Sequence, residues 1–470
     1  MHAVWRVLVV VGVLACSPAD EESARLDGTA GQVDAAAGRA DGALGRADGT
    51  AGRADGAVGR LDAETDGAGA PRDAAAGLAD AGLGALDQGE RDAMPRDPEA
   101  QDARTPEALD AATSPPPTPD AAPPTVPRQA WFNHPPVDGS PDTALEEVIL
   151  GLLAKAAPGS EVRAAWYTFS RRRMAAGFVE AARRGVDVRI VLGNTNVNDG
   201  CVDWAAVADL KAGLGADHVT ICRPCQDGGG CQGTGINHNK FMTLSRLTDG
   251  SSNVVVQSSA NLTNPQLHEH NNLVVVRDDP GLHTAYRGYW TDLSRQRQNL
   301  NYYHVEDGNH TRVYFYPRAE GDTVVGIIGN ADCAAGARIR LVMAFFTDAR
   351  LEVAQALASA RRAGCRVTAV VRDDPPTYPG DQVLATLRGG GVDVRLFPVV
   401  GERTIHSKYL LIDGQYAGVA GRKLVWTGSH NYTGGALRSN DETLLRVDDE
   451  DVFMSFDADF RGILAAQEAL

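Results

Sequence analysis

The sequence predicts an α/β fold built twice, with a long N-terminal tail that does not fold. Three observations predict it. First, a unit of strand, amphipathic helix and strand occurs near residues 161–193 and again near 337–371. Both helices end in a basic run, Ala182-Arg183-Arg184-Gly185 and Ala360-Arg361-Arg362-Ala363-Gly364. Second, each unit is followed by a strand with a His and a Lys two residues apart, His238 with Lys240 and His406 with Lys408. Third, residues 17–127 contain no aromatic residue and no Lys. A stretch so poor in large apolar side chains cannot offset the entropy of ordering. Alternating strand and helix periods predict a largely parallel or mixed sheet in each half.

The chain opens with "MHAVWR", the apolar run Val7–Ala15, and Cys16. This reads as a secretory signal, too short for an ordinary membrane-spanning helix. Its end, "VLAC", resembles a bacterial lipobox. That resemblance implies cleavage before Cys16, a lipid on that Cys, and a membrane-anchored or secreted product. The segment 16–128 then reads as a disordered linker. Its units start at Gly38, Gly45, Gly52 and Gly59, a period of seven. Recurrent Gly and the lack of an apolar seam argue against a coiled coil and for a flexible stalk. The Pro-rich stretch Thr113–Pro127 stiffens the approach to the folded part.

The tail also explains the charge. Residues 17–127 hold 22 acidic residues and 9 Arg, a net of −13 out of −16 for the chain. With Arg6 counted, residues 128–470 carry only −4. The folded part is nearly neutral, without the basic excess of a nucleic-acid binder.

Within it, helices are expected at Ala144–Ala157, Arg173–Gly185 and Leu351–Gly364, with strands at Glu161–Phe169, Val186–Gly193, Ala337–Phe346 and Cys365–Val371. A helix over Gly281–Gln296 closes the first half. Domains are therefore expected at 129–304 and 305–470. Trp166, Tyr167, Phe169, Phe345 and Phe346, at the ends of matching strands, read as core residues in preference to lipid contacts. Besides Cys16 there are six cysteines, Cys201, Cys222, Cys225, Cys231, Cys333 and Cys365. An even number in an exported chain points to disulfides, with the pairing open.

Residues i and i+2 of a strand share a face, so His238 and Lys240 project together, as do His406 and Lys408. A fixed imidazole beside a fixed ammonium suits a phosphate: one attacks or protonates, the other neutralises oxygens. One such pair would pass for two polar residues on an exposed strand. The sequel argues otherwise. Ser258-Ser259-Ala260-Asn261 follows the first strand and Gly428-Ser429-His430-Asn431 the second, with 23 residues from His238 to Asn261 and 25 from His406 to Asn431. These turns offer hydroxyl, amide and backbone donors to a phosphate oxygen.

This paired pattern resembles the phospholipase D superfamily, whose signature is His-x-Lys-x4-Asp followed by Gly-Ser-x-Asn, present twice. The resemblance covers roughly residues 140–465. It implies two α/β sandwich domains related by a pseudo-twofold axis, one active site between them, a phosphohistidine intermediate, and no cofactor or metal. Lys240, Lys408, Asn261 and Asn431 would bind phosphate oxygens, with Ser259 and Ser429 beside them. The family Asp is Asp413 in the second half and is replaced by Ser245 in the first. An acid eleven residues after the motif Asn, which orients the His, is Glu442 in the second half and Asn272 in the first. On that reading Glu442 would favour a protonated His406, the general acid, and Asn272 would leave His238 neutral, the nucleophile.

The near-neutral folded part and the export signal favour phospholipid head groups as substrate, with transphosphatidylation as a further outcome. The alternative is a secreted nuclease or another phosphodiesterase of the superfamily. A non-catalytic module would be expected to have lost a motif His, Lys or Asn, and none is lost. No obligatory protein partner is evident.

Overall fold

The computed structural model describes residues 127–193, 204–223 and 229–469. The export signal, Cys16, the tail up to residue 126, Cys201 and Cys225 lie outside the described residues.

The first half begins with strand β1 (Arg128–Phe132), helix α1 (Ala144–Lys155), strand β2 (Glu161–Trp166), helix α2 (Arg172–Arg183) and strand β3 (Asp187–Leu192). Helix α3 (Ala205–Leu214) and strands β4 (Val219–Ile221), β5 (Lys240–Arg246) and β6 (Ser252–Ser258) follow. Strands β7 (Glu269–His270) and β8 (Asn272–Val276) and helix α4 (Pro280–Ser294) complete it.

The second half starts with β9 (His304–Asp307), β10 (Thr311–Tyr316), α5 (Thr323–Gly329), β11 (Arg338–Met343), α6 (Leu351–Arg362) and β12 (Arg366–Asp373). It continues through α7 (Asp381–Gly389), β13 (Asp393–Pro398), β14 (Thr404–Ile405), β15 (Lys408–Tyr416) and β16 (Val419–Gly428). It ends with α8 (Gly434–Arg438), β17 (Glu442–Asp448) and α9 (Glu450–Glu468).

The two sheets repeat one topology. The first runs β4-β3-β2-β5-β6-β8-β1 and the second β13-β12-β11-β15-β16-β17-β10, with β9 added at its edge. In both, the three strands linked by helices pair in parallel and the rest antiparallel. The expected strand-helix-strand units are β2-α2-β3 and β11-α6-β12.

Each sheet is covered on both faces, which needs apolar residues at successive positions rather than alternate ones. In β8, Leu273 and Val275 join an outer core with α1–α3, while Val274 and Val276 point into a layer between the two sheets. That inner layer takes Tyr286, Tyr289 and Trp290 from α4 and Phe453, Phe456 and Ile463 from α9. A third core lies between the second sheet and α5–α7. The N-caps of α4 and α9 cross between halves. Asp279 accepts the N–H of Leu282 and the hydroxyl of Thr311 at the start of β10. Asp449 accepts the N–H of Val452 and pairs with Arg128 at the start of β1. Disulfides join Cys222 to Cys231 and Cys333 to Cys365.

Helix α9 buries Asp459 in the inner layer, where it accepts the Tyr409 hydroxyl at 2.8 Å. Burial pushes its carboxyl up to about 7, against a lowering by that hydrogen bond. Between the ordinary value of 3.8 and about 7, the folded chain holds a proton that the unfolded chain has lost. Stability therefore falls as pH rises through that window. Thermal melts from pH 5 to 8 are expected to show this decline, and Asp459→Asn to flatten it. An unchanged slope in the variant would assign the decline to other groups.

Candidate active site

His238 immediately precedes β5, and Lys240 is its first residue. His406 and Lys408 stand in the same relation to β15. Each approach segment is stitched to the opposite half. Asn237 bridges Asp441, and the His238 N–H donates to the Asp441 carbonyl at 2.9 Å. In the mirror arrangement, β14 pairs with β7, and the His406 N–H donates to the His270 carbonyl at 2.9 Å. Both His-Lys pairs thus lie on the seam between the halves, and all four side chains are buried.

The imidazoles are held from across that seam. Both carboxylate oxygens of Glu442 lie 3.0 Å from Nδ1 of His238. A carboxylate only accepts, so Nδ1 carries a proton directed at Glu442. Nδ1 of His406 lies 3.2 Å from Oδ1 of Asn271, with Nζ of Lys408 at 3.1 Å and a Glu269 oxygen at 4.0 Å. Each lysine also folds back on its own histidine: Lys240 donates to the His238 carbonyl at 2.8 Å and Lys408 to the His406 carbonyl at 2.5 Å.

The motif serines support the orienting groups. The Ser429 hydroxyl donates to Glu442 at 2.5 Å and the Ser259 hydroxyl to Asn271 at 2.8 Å. Both serines are 0% exposed. Expected to meet substrate, they instead position the residues that hold the two imidazoles. Asn261 and Asn431 lie on the turns just beyond and stay slightly exposed, at 5% and 4%.

The family model described as "Cardiolipin synthase, PLD-like domain" matches residues 149–293 and again 328–464. The chain belongs to the phospholipase D superfamily. Two curated relatives are mitochondrial cardiolipin hydrolases. That of Xenopus laevis is 32% identical over 125 residues, covering 27% of this chain and 54% of the relative. That of Danio rerio is 30% identical over 132 residues, covering 28% and 54%. The chain thus spans about half the length of the curated relatives it matches. Among solved structures, a phosphatidylserine synthase of Haemophilus influenzae Rd KW20 is 13% identical, with a TM-score of 0.49 over 69% of this chain and 84% of that one.

Within this phospholipase D architecture three expectations need correction. Glu442 does not orient His406; it holds His238, because each β8- or β17-type strand starts beside the other half's histidine. Asn272 is not the counterpart of Glu442. Asn272 N–H donates to Ser259 Oγ as Thr443 N–H donates to Ser429 Oγ, so the equivalent of Glu442 is Asn271. The segment after the first motif Asn is one residue shorter, and Asn272 instead accepts the Thr427 hydroxyl at 2.6 Å. Asp413, expected to be catalytic, sits five residues along β15 from Lys408, roughly 16 Å away at ~3.3 Å per residue and on the opposite face. It pairs with Lys423 at 3.3 Å and approaches Arg340 at 3.8 Å. In the same place of the first half, Ser245 accepts the Glu161 N–H at 2.9 Å. Asp413→Asn is therefore expected to leave kcat and KM unchanged and to cost at most about 1 kcal/mol of stability, as read by steady-state kinetics and urea melts.

Sequence reasoning missed four residues at the site. Glu269 and Asn271 surround His406. Tyr167 and Phe345 line the two pairs: their rings lie 5.4 Å from the His238 ring and 5.9 Å from the His406 ring. Lys240 Nζ lies 5.5 Å from the Tyr167 ring centre, and Lys408 Nζ lies 5.9 Å from that of Phe345. Trp166, Phe169 and Phe346 are core, as expected. For Tyr167 the signal was its place one residue out of phase with Trp166.

Proposed function

We propose that the chain is a phosphodiesterase that hydrolyses phospholipid head groups through a phosphohistidine on His238. The observation that carries this reading is the unequal holding of the two imidazoles. Nε2 of His238 forms a bond to phosphorus while the bond from phosphorus to the leaving oxygen breaks. The positive charge that develops on the ring is stabilised by Glu442 across Nδ1–H. His406, whose Nδ1 has the Lys408 ammonium at 3.1 Å and the Asn271 amide oxygen at 3.2 Å, gives its proton to the leaving oxygen. It then takes a proton from the water that displaces His238 from phosphorus. An alcohol in place of water gives transphosphatidylation. Lys240 and Lys408, with Asn261 and Asn431, offset the charge on the non-bridging oxygens.

In this reading each histidine keeps the role proposed from sequence, but for a different reason: the carboxylate serves the nucleophile rather than the acid. Lipid as substrate is supported by the cardiolipin hydrolases among the relatives and by the near-neutral charge of residues 128–470. Export and anchoring through a lipidated Cys16 complete the reading. No helix among the described residues is long and apolar enough to cross a membrane.

The test offers the purified chain vesicles of phosphatidylcholine and of cardiolipin, with and without a primary alcohol, beside single-stranded and duplex DNA. Release of head group, or its exchange with the alcohol, supports the reading. Cleavage of DNA alone would replace it with a nuclease.

A further inference from the structure

Asp441 belongs to neither motif, yet it joins three parts of the site. Its carboxylate accepts the N–H groups of Cys231 at 2.5 Å, Gly233 at 2.7 Å and Gln232 at 3.2 Å. Its own N–H donates to the Ile236 carbonyl at 2.9 Å, and its carbonyl receives the His238 N–H. Its chain neighbour, Glu442, holds the His238 ring. Successive backbone N–H groups curled round one carboxylate form a rigid anion nest.

The clasped segment is also tied on its other side. Cys231 is bonded to Cys222, the residue after β4, so the segment is anchored to the first sheet. Two glycines let it press on the second half. A Cβ on Gly233 would meet the Ser439 carbonyl at 1.8 Å, and one on Gly235 would meet Asn440 Oδ1 at 2.2 Å. Asp441 is fully buried, with Glu442, Tyr289 and Tyr302 as its titratable neighbours. The equivalent place in the first half is taken by His270, whose carbonyl receives the His406 N–H but whose ring nitrogens have no hydrogen-bond partner. The clasp therefore serves His238 and has no counterpart at His406.

We propose that Asp441 is a positioning residue for His238: together with the Cys222–Cys231 disulfide it locks the segment from residue 229 to 237 across the seam and so fixes the imidazole against Glu442. The activity side of this inference rests on the phosphodiesterase reading; the geometric side does not. A small misplacement of a reacting group costs on the order of 100-fold in rate, and the clasp guards against it.

The experiment uses the full chain and bis(p-nitrophenyl) phosphate, with nitrogen-15 NMR of the His238 ring alongside. Asp441→Ala is expected to lower kcat by about 100-fold with little change in KM. Asp441→Asn, which keeps one accepting oxygen, is expected to recover part of it. In a Glu442→Gln background Asp441→Ala is expected to add little, since both act through the same ring. The His238 Nδ1–H resonance is expected to move in Asp441→Ala. Paired Cys222→Ser and Cys231→Ser substitutions are expected to shift both readouts the same way, and they decide the matter if Asp441→Ala does not fold. Unchanged kcat per folded molecule, full additivity with Glu442→Gln, or an unmoved resonance would overturn the proposal. A wild-type chain that cleaves no phosphodiester would refute the functional reading, and the resonance would still decide the role of Asp441.

Discussion

Replacing Glu442 by Gln is expected to lower kcat by roughly 10³-fold with KM little changed. Gln matches the volume, so the buried packing around Ser429 and Asn440, both within hydrogen-bond reach of Glu442, is largely kept. What is lost is the negative charge 3.0 Å from His238 Nδ1. Without it the ring is free to place its proton on either nitrogen, and the cation formed on bonding to phosphorus has no counter-charge. Since that charge exists only beyond the ground state, the loss belongs in kcat rather than KM. The same substitution separates two pairings. If Glu442 served His406, the loss would depend on how poor the leaving group is. If it serves His238, the loss is similar for p-nitrophenol and for an alkyl head group. Steady-state kinetics on both substrates make the comparison.

Replacing the histidines themselves is expected to have larger and unequal effects. In the proposed mechanism His238→Ala removes the attacking atom, and a loss on the order of 10⁵-fold is expected for every phosphodiester. His406→Ala removes the proposed acid. For a head-group alcohol, which needs a proton to leave, roughly 10⁴-fold is expected. For p-nitrophenol, which leaves as a stable anion, formation of the phosphoenzyme is expected to be much less affected. The following hydrolysis, on the same proposal, still needs His406 as base. The variant should then give a burst of one p-nitrophenol per chain and stall. Equal losses on both substrates and no burst would remove the acid-base role of His406.

Much of the fold was legible because its signals are local. The buried strands and amphipathic helices carry their periods in a dozen residues, and α6 begins at Leu351 as the pattern indicates. Repetition of the motif also showed that the fold occurs twice. What was not legible is the crossing. Glu442 and His238 are 204 residues apart, and the natural reading pairs each orienting group with the histidine of its own half. The pairing of β7 with β14, and of Asn237 with Asp441, carries each strand start to the other side. The one-residue difference that makes Asn271, not Asn272, the partner of His406 lies in a loop, where spacing is not held by a period. Asp413 is the opposite case. Five residues from Lys408 on one strand means the far face, so strand parity alone argued against a catalytic role. Asp441 sits in an unremarkable "SNDET", and its importance comes from three amides that only the folded chain brings to it.

The central claim is that the seam crosses the halves so that the carboxylate-held imidazole, His238, attacks phosphorus. It is tested most directly by acid-free rapid quench of the His406→Ala chain with a phosphorus-32-labelled phosphodiester, followed by peptide mapping under alkaline conditions that preserve phosphohistidine. The label is expected on the peptide containing His238, and absent when Glu442→Gln or His238→Ala is added. In the wild-type chain, trapped phosphate on His406 with none on His238 would contradict it.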